Sequence, residues 1–135
     1  MTPPPPRPRL SLCGVVREDG RYLVARRKPG GSQGGKWEFP GGKLEPGETS
    51  DQCLVREFAE ELAVPVTVGR RLYVGSFTNG AKDYVLEAWE TTLLGREFRL
   101  AEHTELRWVD LSDLHTLDLS DSDRQVAEAL TLTDG

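Results

Sequence analysis

Apolar positions in this chain follow two rhythms, and the changes of rhythm mark its elements. From residue 50 to 62, Cys53, Leu54, Phe58 and Leu62 recur at helical spacing, the pattern of an amphipathic helix with one buried flank. Thr49 supplies an N-cap, and Gln52, three residues on, completes a capping box, so a helix is expected over 50–62. Elsewhere the apolar runs are short, β-prone and bounded by turn residues: 10–16, 22–26, 37–39, 66–68, 72–77, 83–91 and 106–109. The first two flank Glu18, Asp19 and Gly20, which predicts a hairpin at the centre of the sheet, and Asn79-Gly80 predicts a second hairpin. Val126, Ala129 and Leu130, with acids ahead of them, predict an amphipathic helix over 122–132.

Strands followed by isolated helices, with no internal repeat, predict one α+β domain over 9–135, a layered sandwich around a mixed sheet. Residues 1–8 are proline-rich and lack apolar anchors, so a disordered arm is expected there. The run KPGGSQGGK at 28–36 has no periodicity and reads as a mobile loop. Trp37, Trp89 and Trp108 read as core or sheet-face residues, with Trp37 also a candidate wall of a binding pocket.

Composition narrows the functional classes. With 135 residues, 37% of them apolar and 29% charged, the chain can build a globular core without staples. A net charge of -5 argues against a polymeric nucleic acid partner, which needs clustered Lys and Arg. Cys13 and Cys53 are far apart with no metal-ligand spacing, so both read as reduced and buried, as in a cytoplasmic protein. No apolar run approaches the roughly 18 residues of a bilayer span, which predicts no membrane partner. A monomer and a homodimer both stay open.

The chemistry concentrates between Gly41 and Val64. Glu57, Glu60 and Glu61 project from one side of the expected helix, where three like charges destabilise each other unless a cation offsets them. Clustered carboxylates suit a hard divalent ion: magnesium, with manganese as a substitute.

Gly42, Glu48, Arg56, Glu57, Phe58, Glu60, Glu61 and Val64 together resemble the Nudix box, and the run Lys36, Trp37, Glu38, Phe39, Pro40, Gly41, Gly42 is similar to the one that precedes the box in MutT-like members. The resemblance implies a Nudix fold, an α/β/α sandwich with a central mixed β-sheet. It also implies that Glu57, Glu60 and Glu61, with the carbonyl of Gly41, bind the metal, and that Glu48 and Arg56 pair to orient the ligand helix. Glu102, six residues before Trp108, matches a loop that supplies a further metal-binding glutamate; the alternative is a solvated acid. His103 beside it reads as structural or surface. The general base is one of Glu60, Glu61 or a loop acid.

The family pattern has glycine where this chain has Ala63, at the helix end. A left-handed backbone there would cost an alanine about 1 kcal/mol.

By the same resemblance Arg27 is a phosphate contact. Alternation along a strand lets only one of Arg26 and Arg27 face the site. Lys43 is a second phosphate candidate. Phe39 and Asp123 are expected at the base, with helix capping as the other role open to Asp123. The implied activity is hydrolysis of a (deoxy)nucleoside triphosphate to monophosphate and pyrophosphate, in nucleotide-pool sanitation, on 8-oxo-dGTP or a cytosine-type triphosphate. ADP-ribose or a dinucleoside polyphosphate as substrate, and a non-catalytic nucleotide-sensing domain, are the competing readings.

Overall fold

The structure, a computed structural model, describes residues 9–134. The proline-rich arm at 1–8 and Gly135 lie outside the described residues. The elements run β1 (Arg9–Val15), β2 (Arg17–Glu18), β3 (Arg21–Arg27), β4 (Trp37–Glu38), β5 (Gly41–Lys43), α1 (Ser50–Leu62), β6 (Val66–Asn79), β7 (Lys82–Leu93), β8 (His103–Val109), α2 (Leu111–Thr116) and α3 (Asp121–Asp134).

Two four-stranded sheets form the middle layer. One has the order β5-β1-β7-β6 and is mixed, because β1 and β7 run parallel; in the other, β3 pairs with β2, β4 and β8, all antiparallel. Strand alternation feeds a separate core on each side. Leu12 and Leu23 join Leu54, Phe58 and Leu62 of α1, whereas Cys13, Tyr22 and Val24 join Leu114 of α2 and Val126 of α3. Helices therefore cover both faces, which is the expected α+β sandwich. Both cysteines are free and buried.

The hairpin expected between 10–16 and 22–26 is not the one that forms. Asp19 and Gly20 do make a tight turn with left-handed φ of 52° and 77°, but the turn joins β3 to the two residues of β2. β1 instead runs parallel to β7 from Arg9↔Tyr84 to Val15↔Glu90. The reason is burial: residues 12 to 16 are all buried, so β1 is a central strand with helices on both faces, the setting that parallel pairing requires.

Other differences are smaller. The runs at 66–68 and 72–77 are one strand, β6, whose register slips near Arg71 and so breaks the alternation. The loop at 28–36 is folded onto β3, with Gly35 N donating to Arg27 O at 3.2 Å and Arg27 N to Lys36 O at 2.9 Å. α2 has no counterpart in the sequence reading. No helix among the described residues is long and apolar enough to cross a membrane.

Helix α1 begins and ends as local chemistry dictates. Gln52 N donates to Thr49 Oγ1 at 3.3 Å and Thr49 N to Gln52 Oε1 at 3.0 Å, the expected capping box. At the other end Ala63 takes a left-handed backbone, φ 59° and ψ 36°, and its N–H donates to Ala59 O at 3.1 Å. The helix terminates through an alanine where glycine is the unstrained residue.

Candidate active site

The glycine loop packs too tightly against β1 and α1 for side chains at Gly41 and Gly42. β5 pairs with β1 at Leu12↔Gly42 and Cys13↔Gly41. A Cβ on Gly41 would lie 2.1 Å from the carbonyl oxygen of Leu12, and one on Gly42 would lie 2.5 Å from the carboxyl carbon of Glu57. Only glycine allows Glu57 to rest against the loop.

Arg56 is the fastener between them. Its Nε and Nη2 donate to the two oxygens of Glu48 at 2.7 and 2.9 Å, a bidentate pair. Nη1 donates to Glu57 Oε1 at 2.7 Å and to Glu60 Oε2 at 3.3 Å, and Nη2 also reaches the Lys43 carbonyl at 3.2 Å. These bonds from Arg56 are the main cause that lowers the Glu48 carboxyl to about 2.

Glu61, one helical turn beyond Glu57, is nearly closed off from solvent. Burial, followed by the charges of Glu57, Glu38 and Glu102, pushes its carboxyl up to about 9, and burial likewise raises Glu57 against the opposing pull of Arg56. Oε2 of Glu61 is buried without a hydrogen-bond partner among the described residues. Desolvated acids side by side, one with an orphaned oxygen, are a costly arrangement. A hard divalent cation fits this oxygen donor set and would remove the cost.

A second group of residues stands beside the first. Glu38 Oε1 accepts from Arg27 Nη1 at 3.2 Å, and Glu38 Oε2 lies 2.9 Å from Nε2 of His103, which is 3.9 Å from Glu61 Oε1. Arg27, Glu38 and His103 come from neighbouring strands, since β3 pairs with both β4 and β8. His103 is buried, as a structural histidine should be, yet its partners are the acids of the site. Sequence reasoning passed over Glu38. The available signal was alternation, for Trp37 and Phe39 are both in the core and the residue between them must face the other way.

Most of these residues border one cavity of about 500 Å³. Glu57, Glu60, Glu61 and Glu102 lie on its wall with Gly41 and Lys43. Arg27, Phe39 and Asp123 lie on it as well, whereas Glu48 and Arg56 sit behind and brace α1. Arg26 points elsewhere, donating through Nε to Gly35 O at 3.0 Å. Trp37 is not part of the wall either; it is buried in the core, with the Arg107 guanidinium 4.6 Å from its ring.

Asp123 has more partners than a helix cap needs. One oxygen accepts from the backbone N–H of Phe39 at 3.0 Å, and the other accepts from the Ser120 hydroxyl, so α3 is tied to the strand that leads into the glycine loop. Burial, and then the charge of Glu38, raise its carboxyl to about 7. Lys43 hangs over Tyr84, with Nζ 5.1 Å from the ring, and Tyr84 stacks on Phe77 at 5.0 Å.

A family model described as NUDIX domain matches residues 5–130. The CTP pyrophosphohydrolase of Escherichia coli is 34% identical over 120 residues, covering 87% of each chain. A protein of Mycobacterium tuberculosis described as putative 8-oxo-dGTP diphosphatase 2 is 37% identical over 118 residues, covering 85% of this chain and 82% of its own. The solution structure of the E. coli ORF135 protein superposes with a TM-score of 0.82 at 29% identity, covering 94% of this chain and 91% of that one.

Proposed function

The chain belongs to the Nudix hydrolase family, and from that premise we propose that it hydrolyses (deoxy)nucleoside triphosphates to monophosphate and pyrophosphate with magnesium. The observation that carries this reading is the cavity of about 500 Å³, on whose wall Glu57, Glu60, Glu61 and Glu102 meet Arg27, Phe39 and Asp123. Glu57, Glu60, Glu61 and Glu102, with the Gly41 carbonyl, would hold the cation. Bound there, it supplies neutralisation of phosphate charge and activation of water.

The chain's own residues do the rest. Glu48 fixes Arg56, and Arg56 fixes Glu57 and Glu60, so the ligand set is held in place before substrate arrives. Arg27, half exposed and steered by Glu38, contacts phosphate oxygens. Water attacks phosphorus, a lining carboxylate takes its proton, and the bond to pyrophosphate breaks.

Asp123 addresses the base. An ionised carboxylate has about four acceptor positions, so two bonds to Phe39 and Ser120 leave room for a base N–H or exocyclic amine. With the carboxyl at about 7, part of the population at neutral pH is protonated and donates instead. An acceptor at this place favours a cytosine-type base, in line with the E. coli relative's name, and 8-oxoguanine is the second base to test. Removal of such nucleotides is pool sanitation in the cytoplasm.

Incubation with a panel of normal, oxidised and methylated triphosphates plus magnesium tests the reading. Monophosphate and pyrophosphate in equal amounts are expected. Release of phosphate alone, or turnover of ADP-ribose or dinucleoside polyphosphates in place of every triphosphate, would refute it.

A further inference from the structure

We infer that His103 is a positioning residue that holds Glu38 and, through it, Arg27, and stands between Glu38 and Glu61, so that one imidazole sets the surroundings of both the cation-holding acid and the phosphate-binding arginine. The inference rests on the reading of Glu61 as a metal ligand. Arg99 N donates to Leu62 O at 2.9 Å and Ala101 N to Glu61 O at 3.1 Å, so the segment entering β8 satisfies carbonyls at the end of α1 and brings His103 beside Glu61.

The ring's orientation follows from its neighbours. Nε2 faces two carboxylates, Glu38 Oε2 at 2.9 Å and Glu61 Oε1 at 3.9 Å, while Nδ1 is buried with no partner among the described residues. Nε2 therefore carries the hydrogen and donates it to Glu38, with Glu61 close by. Glu38 uses its other oxygen for Arg27 at 3.2 Å, which completes a hydrogen-bonded chain from His103 to Arg27, with Glu61 alongside the ring. Without the imidazole N–H, Glu61 faces the Glu38 carboxylate with no donor between them.

The same three side chains also lie close enough to hold an ion themselves, with donor atoms within 4.8 Å of one another. A histidine that ligates metal almost always gives its other N–H to an acceptor, and Nδ1 has none among the described residues. The imidazole is thus a donor to acids and not a metal ligand.

The test uses the nucleotide-free protein and Mn2+, followed by electron paramagnetic resonance. His103→Leu removes the donor at similar bulk, and His103→Gln restores an N–H. We expect His103→Leu to weaken Mn2+ binding about tenfold or more and His103→Gln to stay near wild type. Wild-type affinity in His103→Leu, or equal losses in both variants, overturns the inference alone. Failure of the wild type to bind Mn2+ overturns the metal reading and this inference with it, whereas failure to hydrolyse any triphosphate overturns only the proposed substrate. Ring 15N shifts of the unsubstituted protein check the same point without a substitution: an Nε2–H ring is expected, and an Nδ1–H tautomer refutes the inference.

Discussion

Ala63→Gly isolates one strained residue from everything around it. Ala63 holds φ 59° and ψ 36° and is exposed, so its methyl packs against little while its backbone sits in a region disfavoured for any residue with a Cβ. Relief of that strain is worth roughly 1–2 kcal/mol. Glycine returns roughly 0.4–1 kcal/mol through the greater freedom of the unfolded chain, which leaves a net gain of about 0.5–1 kcal/mol. For a chain of this size that corresponds to a rise in Tm of roughly 2–4 °C. The bonds that end the helix, Ala63 N to Ala59 O and Val64 N to Phe58 O, are backbone bonds and survive the change. Thermal unfolding by circular dichroism, with turnover assayed alongside, should show a higher Tm and activity within a few-fold of wild type. A lower Tm would mean that the strain is not there, and abolished turnover would mean that this residue does more than end a helix.

Three further outcomes follow from the site. In EDTA, Tm should fall as pH rises from about 5 to 9, because the native state keeps protons on Asp123 up to about 7 and on Glu61 up to about 9 that the unfolded chain has already released. Saturating magnesium should remove the part due to Glu61 and leave the part below pH 7; a Tm that climbs through this range in EDTA would contradict both shifts. Arg56→Lys keeps the charge and loses the bidentate bond to Glu48 and the fork onto Glu57 and Glu60, so kcat should drop by about tenfold or more while the circular dichroism spectrum is retained. Gly42→Ala places a methyl against the Glu57 carboxylate and should raise the magnesium concentration for half-maximal rate, with an unchanged requirement counting against the cradle.

What could be read from the chain was what local chemistry decides. Thr49, Gln52 and the spacing of Cys53, Leu54, Phe58 and Leu62 define α1 by themselves, and its boundaries agree with the structure. Its acids were equally visible, because residues three and four apart on a helix share a face. Pairing between distant strands was not legible. Nothing near Leu12 says that its strand will lie parallel to residues more than seventy positions away, and a good Asp19-Gly20 turn gave the nearer strand too much weight. The Glu38 and His103 contact joins residues 65 apart and depends on how β3 gathers β4 and β8. A lone glutamate in a two-residue strand and a histidine next to a loop acid each look ordinary until the fold brings them within 2.9 Å.

The central claim is that the buried acid at the end of α1 is what makes this cavity a hydrolase. The most direct test is kcat of Glu61→Gln against wild type on the best triphosphate of the panel, with pyrophosphate as the counted product. The amide keeps the size of the carboxylate and removes its charge, so turnover should fall by about a hundredfold or more while the fold is retained. A variant that still releases pyrophosphate at close to the wild-type rate would contradict the account.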